Sequence, residues 1–458
     1  MPTQRQLAET VVGRLRQAGH EAYLAGGCVR DLLLGRPPRD WDVATAATPD
    51  EVLALWPDAL TVGKAFGVVV VRDGTVQVEV ATFRAESGYA DGRHPDAVTF
   101  TTAEADARRR DFTVNAMFLD PVSGEVLDYV GGREDLARRL IRAVGDPRGR
   151  FAEDHLRMLR AVRFAAELDF DLDPATAEAI GDLAGRITSV SGERVSAELE
   201  RILTAHPAGR RRGMELADRL GLLAVLLPEV AATRGTEQPA AYHPEGDVFV
   251  HTLECLARLR EPTYELALAA LLHDVGKPAT CRVRKGRLTF YGHAKLGEEM
   301  AGAVCRRLRL STFARQRVEW LVRRHMMLAN WPELRVAKLK RLFAEPGFEE
   351  LAELWRADAL ASGGTAEGYE ALMARYRIAQ EETVRPEPLV TGRDLIAMGL
   401  EPGPRFGPIL DAVYDAQLEG EVTTREEALA LARQAATGKD AAWQRPNNND
   451  EQGMMNAE

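Results

Sequence analysis

Two aspartates near the start of the sequence give the first indication of chemistry. Asp40 and Asp42 lie in the segment PPRDWDVAT, directly after the glycine-containing stretch LAGGCVRDLLLG. Residues i and i+2 of a strand point to the same face, so both carboxylates are expected on one side of a predicted strand, DWDVAT. Two anions this close need a cation between them, and Mg²⁺ prefers carboxylate oxygens. The pair therefore predicts a magnesium site.

A third carboxylate, Glu79, lies in the second arm of a predicted hairpin, AFGVVVVRDGTVQVEVATF, with its turn at Asp73-Gly74. Valines alternate with Glu79 along this arm, so the glutamate is expected on the face opposite the buried one. Three carboxylates on adjacent strands suit two Mg²⁺ ions that activate an attacking oxygen and neutralise a leaving oxygen. Gly26 and Gly27, before a predicted helix, would let backbone N–H groups approach a triphosphate.

Histidines and aspartates in the C-terminal half form a second set of candidate metal ligands. His273 and Asp274 end an apolar segment, LALAALLHDVGKP, where a buried charge is costly unless it is paired or bound to a metal. Together with flanking residues they predict nitrogen and oxygen ligands for a divalent transition metal or Mg²⁺. The flanking candidates are His251, His293, His325 and Asp358. For His325, which follows two arginines, a solvated helix end or an RNA contact is the alternative.

The elements that must position these groups change character along the chain. Up to about residue 142, β-branched runs alternate with helical segments, and Thr48 is a candidate helix N-cap. From DPRGRFAEDHLRMLRAVRFAAEL onward the pattern is helical. Residues 389–431 predict a helix, a turn at Gly403-Pro404 and one long amphipathic helix. Residues 438–458 show no periodicity and are predicted to be disordered.

Composition narrows the class of protein. A chain of 458 residues is too long for one ordinary core. No apolar run approaches the ~18–20 residues of a membrane helix, and the first helix lacks the apolar core of a signal peptide. The four cysteines show no paired spacing, so a cytoplasmic protein is expected. Three basic clusters could contact RNA backbone or simply be solvated: Arg108–Arg110, Arg138–Arg139 and Arg210–Arg212.

Several segments resemble, in order, the motifs of one enzyme family. GGCVRDLLLGRPPRDWDVAT is similar to motif A of the class II tRNA nucleotidyltransferase and bacterial poly(A) polymerase family. VEVATFR, RRRDFTVNAM, DYVGGREDL, FAEDHLRMLRAVRFAAEL and SGERVSAELERIL follow in family order up to about residue 205. HDVGKP resembles the motif of HD phosphohydrolases. The resemblance implies an α+β protein, a small mixed α/β head followed by all-α domains: head 1–142, neck 143–240, HD domain 241–362 and a tail, 363–437, expected to bind tRNA.

The resemblance also implies roles for individual residues. Asp40 and Asp42 would hold Mg²⁺, and Glu79 would support the ion at the attacking oxygen. Asp154 and Arg157, expected with Glu153 on one helix, would read the base of CTP or ATP by imitating a Watson–Crick edge; an ordinary surface ion pair is the alternative. The nucleotide-binding set is Gly26, Gly27, Arg30, Asp111, Asn115, Asp154, Arg157, Arg160 and Arg163. In the HD domain the basic ligands would be His251, His273, Asp274 and Asp358, extended by His293 and His325 for two metals.

The implied function is template-free addition of C and/or A residues to the tRNA 3′ end. Whether all of CCA or only part of it is added stays open, because this depends on the loop RAESGYADGRHPDAVTF. The HD domain implies a metal-dependent phosphatase or 2′,3′-cyclic phosphodiesterase. One alternative is a poly(A) polymerase, although VGKAFGVVVV stands where that branch tends to carry a basic stretch. The other is an HD phosphohydrolase with an inactive head, which the intact carboxylates disfavour.

Overall fold

The structure is a computed structural model that describes residues 2–61, 67–87, 97–238, 246–381 and 386–437. The chain divides into two compact units, unit 1 (Met1–Pro228) and unit 2 (Glu229–Glu458). The predicted disorder of residues 438–458 lies outside the described residues, as does the middle of the loop that bears on product identity.

Helices and strands follow one another along the chain with the bounds given next. The helices are α1 Gln4–Gln17, α2 Gly27–Leu33, α3 Pro49–Leu55, α4 Ala103–Arg109, α5 Gly132–Ala137, α6 Pro147–Glu153, α7 Leu156–Leu168, α8 Pro174–Leu183, α9 Gly192–Leu203, α10 Pro207–Arg219, α11 Leu222–Leu226, α12 Pro228–Ala231, α13 Val248–Arg258, α14 Tyr264–Leu272, α15 Lys277–Thr280, α16 His293–Arg307, α17 Thr312–Arg324, α18 Val336–Phe343, α19 Phe348–Ala361, α20 Glu367–Glu381, α21 Gly392–Ala397, α22 Phe406–Glu419 and α23 Arg425–Thr437. The strands are β1 Ala22–Ala25, β2 Asp42–Thr45, β3 Val68–Asp73, β4 Val76–Thr82, β5 Arg84–Ser87, β6 Ala97–Phe100, β7 Met117–Leu119, β8 Val126–Asp128, β9 Leu140–Ile141, β10 Asp171–Leu172, β11 Arg282–Arg284 and β12 Arg287–Thr289.

A six-stranded sheet in the order β3-β4-β2-β1-β7-β8 organises the first half of unit 1. Its pairs are antiparallel except β2 and β4, which run parallel. The hairpin β3–β4 is confirmed, with Gly74 in the turn at a φ of 62°. Val78 and Val80 are buried while Glu79 is exposed, as the alternation predicts. Thr48 caps α3 through a capping box. The mixed α/β head is therefore confirmed.

Helices account for most of the chain beyond the sheet, and α7 carries the packing of the second half of unit 1. Its residues are buried on most sides, and it packs against α9 and α10. The helical expectation fails at Asp171–Leu172, which forms a short parallel strand paired with Leu140–Ile141 of the predicted head.

Unit 2 packs around α14, whose residues from Leu266 to Leu272 are all buried. The all-helical expectation is wrong at Arg282–Thr289, which form an antiparallel hairpin. Lys285 and Gly286 form its two-residue turn, with φ values of 49° and 76°. Both residues therefore lie in the left-handed region that such tight turns require, and a helix cannot pass through them.

The last segment contains three helices where a helix, a turn and one long helix are predicted. The long helix ends at Gly420, whose φ of 79° places it in the left-handed conformation that terminates helices. A further helix, α23, begins at Arg425. Buried side chains of α21, α22 and α23 form one small core.

Within the described ranges, none of the helices combines the length and the apolar character needed to cross a membrane.

Candidate functional site

The three predicted carboxylates meet at one end of the central sheet. Asp42 begins β2 and lies opposite Glu79 of β4 in parallel register. The prediction that Asp40 lies on the same strand is wrong. The pairing of β2 with β1 reaches only to Asp42, opposite Ala25, because the chain beyond Ala25 turns away at Gly26. Asp40 is thus held by the segment that leads into the strand, two residues before Asp42.

The electrostatics at this edge favour a bound cation. Burial, together with the charges of Glu79 and Asp40, raises the pKa of Asp42 to about 6, and Arg110 only partly opposes this effect. A partly buried carboxylate beside two others is stabilised when a cation neutralises the group. The donor atoms are all carboxylate oxygens, which suits Mg²⁺.

A cleft of about 520 Å³ lies next to these carboxylates. Asp40, Asp42 and all nine residues of the predicted nucleotide-binding set line it, whereas Glu79 does not. At its mouth Gly26 has a φ of 73°, and a Cβ there would lie 3.0 Å from the guanidinium of Arg110. Glycine is therefore required where the backbone turns into α2 and faces the cleft.

A chain of hydrogen bonds crosses the floor of the cleft. Arg30 donates to the side-chain oxygen of Asn115 at 2.6 Å, and the Asn115 amide lies 3.5 Å from Asp111. Asp111 accepts from Arg160 at 2.7 Å. Burial alone would raise the pKa of Asp111, but the charges of Arg160 and Arg157 hold this pKa below its ordinary value. The carboxylate therefore stays ionised and keeps Arg160 at the cleft.

The predicted base-reading residues do not lie on one helix. Helix α6 ends at Glu153, Asp154 is extended (φ −149°, ψ 106°), and α7 begins at Leu156. At this break the Asp154 carboxylate accepts from the backbone N–H of Leu156, the first residue of α7, at 3.1 Å. The other oxygen of Asp154 accepts from Arg194 at 2.7 Å. Arg157 pairs with Glu153. The side chains of Asp154 and Arg157, which both line the cleft, are therefore each oriented by a partner.

Arg163 differs from the other predicted nucleotide contacts. It is almost fully buried, pairs with Glu198 and Glu167, and lies 4.0 Å above the ring of Phe164. The pair with Glu198 joins α7 to α9. In this structure the guanidinium is engaged by the protein itself, which favours a role in holding the cleft wall.

All six histidines and aspartates predicted in the C-terminal half come together in unit 2. His251 lies 2.9 Å from Asp358. The carboxylate of Asp274 lies 3.2 Å from His273, 3.5 Å from His293 and 3.8 Å from His325. Two groups of three potential ligands share Asp274: His251, His273 and Asp274 in one, and Asp274, His293 and His325 in the other. Together the two groups could hold two neighbouring divalent ions.

The histidine rings are turned so that their metal-binding nitrogens face this cluster. The Nδ1 atoms of His273, His293 and His325 lie 2.8–3.0 Å from backbone carbonyls, of Ala270, Phe290 and Val322 respectively. With the proton held at Nδ1, Nε2 carries the lone pair that a metal binds. Burial lowers the pKa of His325 to about 3, so its ring is neutral. Both oxygens of Asp274 are buried without hydrogen bonds of good geometry, which fits a divalent ion.

Comparisons with known proteins cover both units. Family models match as follows: the Poly A polymerase head domain at residues 22–142, the "Probable RNA and SrmB- binding site of polymerase A" at 169–233, and the HD domain at 248–363. A CC-adding tRNA nucleotidyltransferase of Thermus thermophilus is 36% identical over 92% of this chain and 95% of that protein. The chain belongs to the tRNA nucleotidyltransferase family.

Two further comparisons agree with this family. A CCA-adding enzyme of Geobacillus sp. (strain WCH70) is 47% identical over 206 residues, about half of each protein. The crystal structure of the Bacillus stearothermophilus CCA-adding enzyme in complex with CTP is 32% identical, with a TM-score of 0.73 over 95% of this chain and 99% of that one. The similarity therefore extends through nearly the whole nucleotidyltransferase chain.

Sequence reasoning missed several residues of this nucleotidyltransferase that contact the candidate sites. Arg194 and Arg110 line the cleft, and Arg194 binds Asp154. Lys277 is buried and lies 2.7 Å from both Asp274 and Gln238. The signal for Lys277 was present, since it stands at i+3 from Asp274 in HDVGKP. Arg194 could not be inferred, because it approaches Asp154 from another helix, 40 residues away.

The predicted basic clusters are mostly neutralised by carboxylates within the chain, which favours ordinary surface arginines over contacts with the RNA backbone. Arg108 pairs with Glu104, and the other two arginines of that cluster pair with Asp106. The remaining pairs are Arg138 with Glu134, Arg139 with Asp169, Arg211 with Glu215, and Arg212 with Asp171. Arg210 is buried.

Proposed function

We propose that this protein is a tRNA nucleotidyltransferase that adds C and/or A residues to the tRNA 3′ end from CTP and ATP. The observation that carries the proposal is the pairing of Asp42 with Glu79, with Asp40 beside them, at the edge of a cleft rich in arginine. The Thermus relative named for CC addition, and the CTP complex of the Bacillus enzyme, support the same substrates.

In the transfer step the 3′ oxygen of the tRNA attacks the α-phosphorus of the nucleotide, and pyrophosphate leaves. Asp40 and Asp42 are proposed to hold Mg²⁺, with Glu79 supporting the ion at the attacking oxygen. When bound, Mg²⁺ lowers the pKa of that hydroxyl and neutralises the leaving oxygen. The arginines of the cleft, Arg30 and Arg160, balance the negative charge of the triphosphate, and Gly26 lets backbone N–H groups approach it.

Asp154 and Arg157 are proposed to select the base. Cytosine and adenine share an exocyclic amine, which a carboxylate accepts, whereas a guanidinium donates to ring nitrogen or carbonyl oxygen. Uracil carries a carbonyl oxygen in place of this amine, so two acceptors would face each other at the carboxylate. The pair stands at a helix break, tied to Arg194 and Glu153, and so keeps its orientation without a nucleic-acid template.

The test is extension of three tRNA transcripts that end before CCA, after the first C and after CC, with labelled CTP or ATP and Mg²⁺. Asp40→Asn and Asp42→Asn should abolish incorporation, while Asp73→Asn, an exposed residue at the hairpin turn, should not. The accepted ends separate CCA, CC and A addition. ATP polymerised on generic RNA but on no tRNA would instead indicate a poly(A) polymerase, and no incorporation would contradict an active head.

A second activity is proposed for unit 2, carried by the two ligand groups that share Asp274. His251, His273, Asp274, His293, His325 and Asp358 would hold one or two divalent ions, either a transition metal or Mg²⁺. A bound ion supplies a hydroxide nucleophile at neutral pH and polarises a phosphate ester. Hydrolysis of 2′,3′-cyclic nucleotides should require added metal and disappear in Asp274→Asn. Unchanged hydrolysis in that variant would contradict the assignment.

A further inference from the structure

The hairpin β11–β12 carries four exposed basic residues within six positions: Arg282, Arg284, Lys285 and Arg287. In the strand register Arg284 lies directly opposite Arg287, and Arg282 shares their face, two residues from Arg284. Like charges directly opposite each other destabilise a strand pair. A bound polyanion would remove this repulsion.

These cations lack the internal compensation found at the other basic clusters. Within the described ranges none of the four forms an ion pair with a carboxylate, whereas the exposed arginines around 108, 138 and 211 do. Their contacts are with neutral groups. Arg282 donates to the carbonyl of Cys281 at 2.7 Å, and Arg284 lies 5.1 Å from the centre of the Tyr291 ring. The positive charge therefore remains available to a ligand.

The hairpin is joined at both ends to the metal-ligand cluster of unit 2. Strand β11 begins five residues after Lys277, and β12 ends four residues before His293. The carbonyl of Phe290, next to the hairpin, accepts from the His293 ring at 3.0 Å. The Phe290 ring lies 5.5 Å from the ammonium of Lys277. Five residues span at most about 18 Å, so the basic face stays near the cluster.

We propose that this hairpin binds the phosphates of an RNA strand whose 3′ end occupies the metal cluster of unit 2. The location rests on the phosphohydrolase function proposed above. RNA is the partner that fits, because a phosphate ester at an RNA end is followed by a regular row of phosphates. Arginines bind such phosphates through paired N–H groups. Unit 2 would then hydrolyse a phosphate ester at the 3′ end of an RNA chain in preference to one on a free nucleotide.

The first experiment compares two substrates of the full-length, metal-loaded protein. One is a short single-stranded RNA ending in a 2′,3′-cyclic phosphate, and the other is 2′,3′-cyclic AMP. The double variant Arg284→Ser, Arg287→Ser should lower kcat/KM for RNA about fivefold or more and reduce its log–log salt slope by about 1.4, two contacts at 0.7 each. In the same variant, kcat/KM for 2′,3′-cyclic AMP should stay within about twofold of the parent value.

The control is Arg5→Ser, Arg148→Ser, which removes two exposed arginines that pair with carboxylates inside the chain. It should leave both substrates unaffected. Equal losses on RNA and on cyclic AMP in the hairpin variant would show that the hairpin only supports the fold of unit 2, and would overturn the proposal. An unchanged RNA rate would overturn it as well.

A second measurement keeps the proposal testable if unit 2 hydrolyses neither substrate. Acetylation of Lys285 is followed by mass spectrometry with and without an RNA that ends in a 3′ hydroxyl. RNA should protect Lys285 in the parent protein and not in the double variant. Protection without any hydrolysis would refute the phosphohydrolase function and retain the RNA contact. Equal acetylation with and without RNA would refute the contact itself.

Discussion

At the scale of single residues, Asp154 is oriented by two hydrogen-bond donors, one from the backbone and one from a side chain. One of its carboxylate oxygens accepts from the backbone N–H of Leu156, and the other accepts from Arg194 at 2.7 Å. An unpaired carboxylate in a partly buried site can turn to another donor, so the geometry proposed for base selection requires Arg194. Arg194 is therefore a positioning residue, and its effect is expected on the choice between nucleotides.

Arg194→Ala should lower kcat/KM for CTP and ATP about 10- to 100-fold, the loss of one hydrogen bond to a charged group. The substitution should also reduce the ratio of kcat/KM for CTP to kcat/KM for UTP. Loss of a purely structural contact would lower both values and leave their ratio unchanged. The measurement is single-nucleotide incorporation with each of the four nucleotides. Arg201→Ala is the matched control, since Arg201 lines the same cleft but pairs with Glu167. An unchanged CTP/UTP ratio would contradict the role of Arg194.

At the scale of elements, two glycines on helices of unit 1 differ in the space around them. A Cβ at Gly132, at the start of α5, would lie 2.3 Å from the carbonyl oxygen of Thr113. A Cβ on Gly13, within α1, would meet nothing within 4 Å. The first glycine permits close packing, and the second only weakens its helix.

Gly132→Ala should lower the free energy of unfolding by about 1–3 kcal/mol, the usual cost of overpacking. Gly13→Ala should raise it by about 0.4–1 kcal/mol, because alanine restricts the unfolded chain and favours the helix. Urea unfolding followed by circular dichroism measures both. The same sign of change in the two variants would contradict this account of the packing at α5.

The contact between α1 and the β7–β8 turn should depend on pH. Burial alone would raise the pKa of Asp120, but hydrogen bonds from Arg16 and from the backbone of Val122 and Ser123 lower this pKa to about 2. A carboxylate with a lowered folded-state pKa stabilises the fold above its unfolded pKa, and this stabilisation is lost as the pH falls towards the folded value. Asp120→Asn should therefore lower the Tm at pH 7.

The difference in Tm between Asp120→Asn and the parent protein should shrink as the pH falls from about 4 towards 2. Differential scanning calorimetry across this range measures it. A difference that stays constant with pH would mean that the ionised state of Asp120 does not stabilise the fold.

Elements with local signals were predictable, and those that depend on distant contacts were not. The hairpin turn at Asp73-Gly74 and the cap at Thr48 are encoded by neighbouring residues, and both are present. The break at Asp154 has only a weak local signal, because the residues on both sides of it favour helix. The hairpin at 282–289 was missed because its Lys-Gly turn is a weak signal within a helical region.

At the scale of the whole molecule, the two candidate metal sites differ in their donor atoms. Asp40, Asp42 and Glu79 in unit 1 offer only carboxylate oxygens. The cluster of unit 2 offers four histidine nitrogens beside the carboxylates of Asp274 and Asp358. Imidazole favours transition metals, whereas carboxylate sites suit Mg²⁺. The two sets of ligands share no residue, because all ligands of the first lie in unit 1 and all ligands of the second lie in unit 2.

Removal of metal followed by stepwise addition should therefore separate the two proposed activities. After treatment with EDTA, Mg²⁺ should restore nucleotide addition to tRNA in full, while hydrolysis of 2′,3′-cyclic nucleotides should recover more strongly with Mn²⁺ or Ni²⁺. Asp42→Asn should abolish only the first activity, and Asp274→Asn only the second, because no ligand is shared between the sets. The thermal transition of Asp274→Asn should also respond less to Mn²⁺ than that of the parent protein, since binding to the folded state stabilises it. Loss of both activities in either single variant, with the fold intact by circular dichroism, would mean that the two sites are coupled and that the donor sets do not act separately.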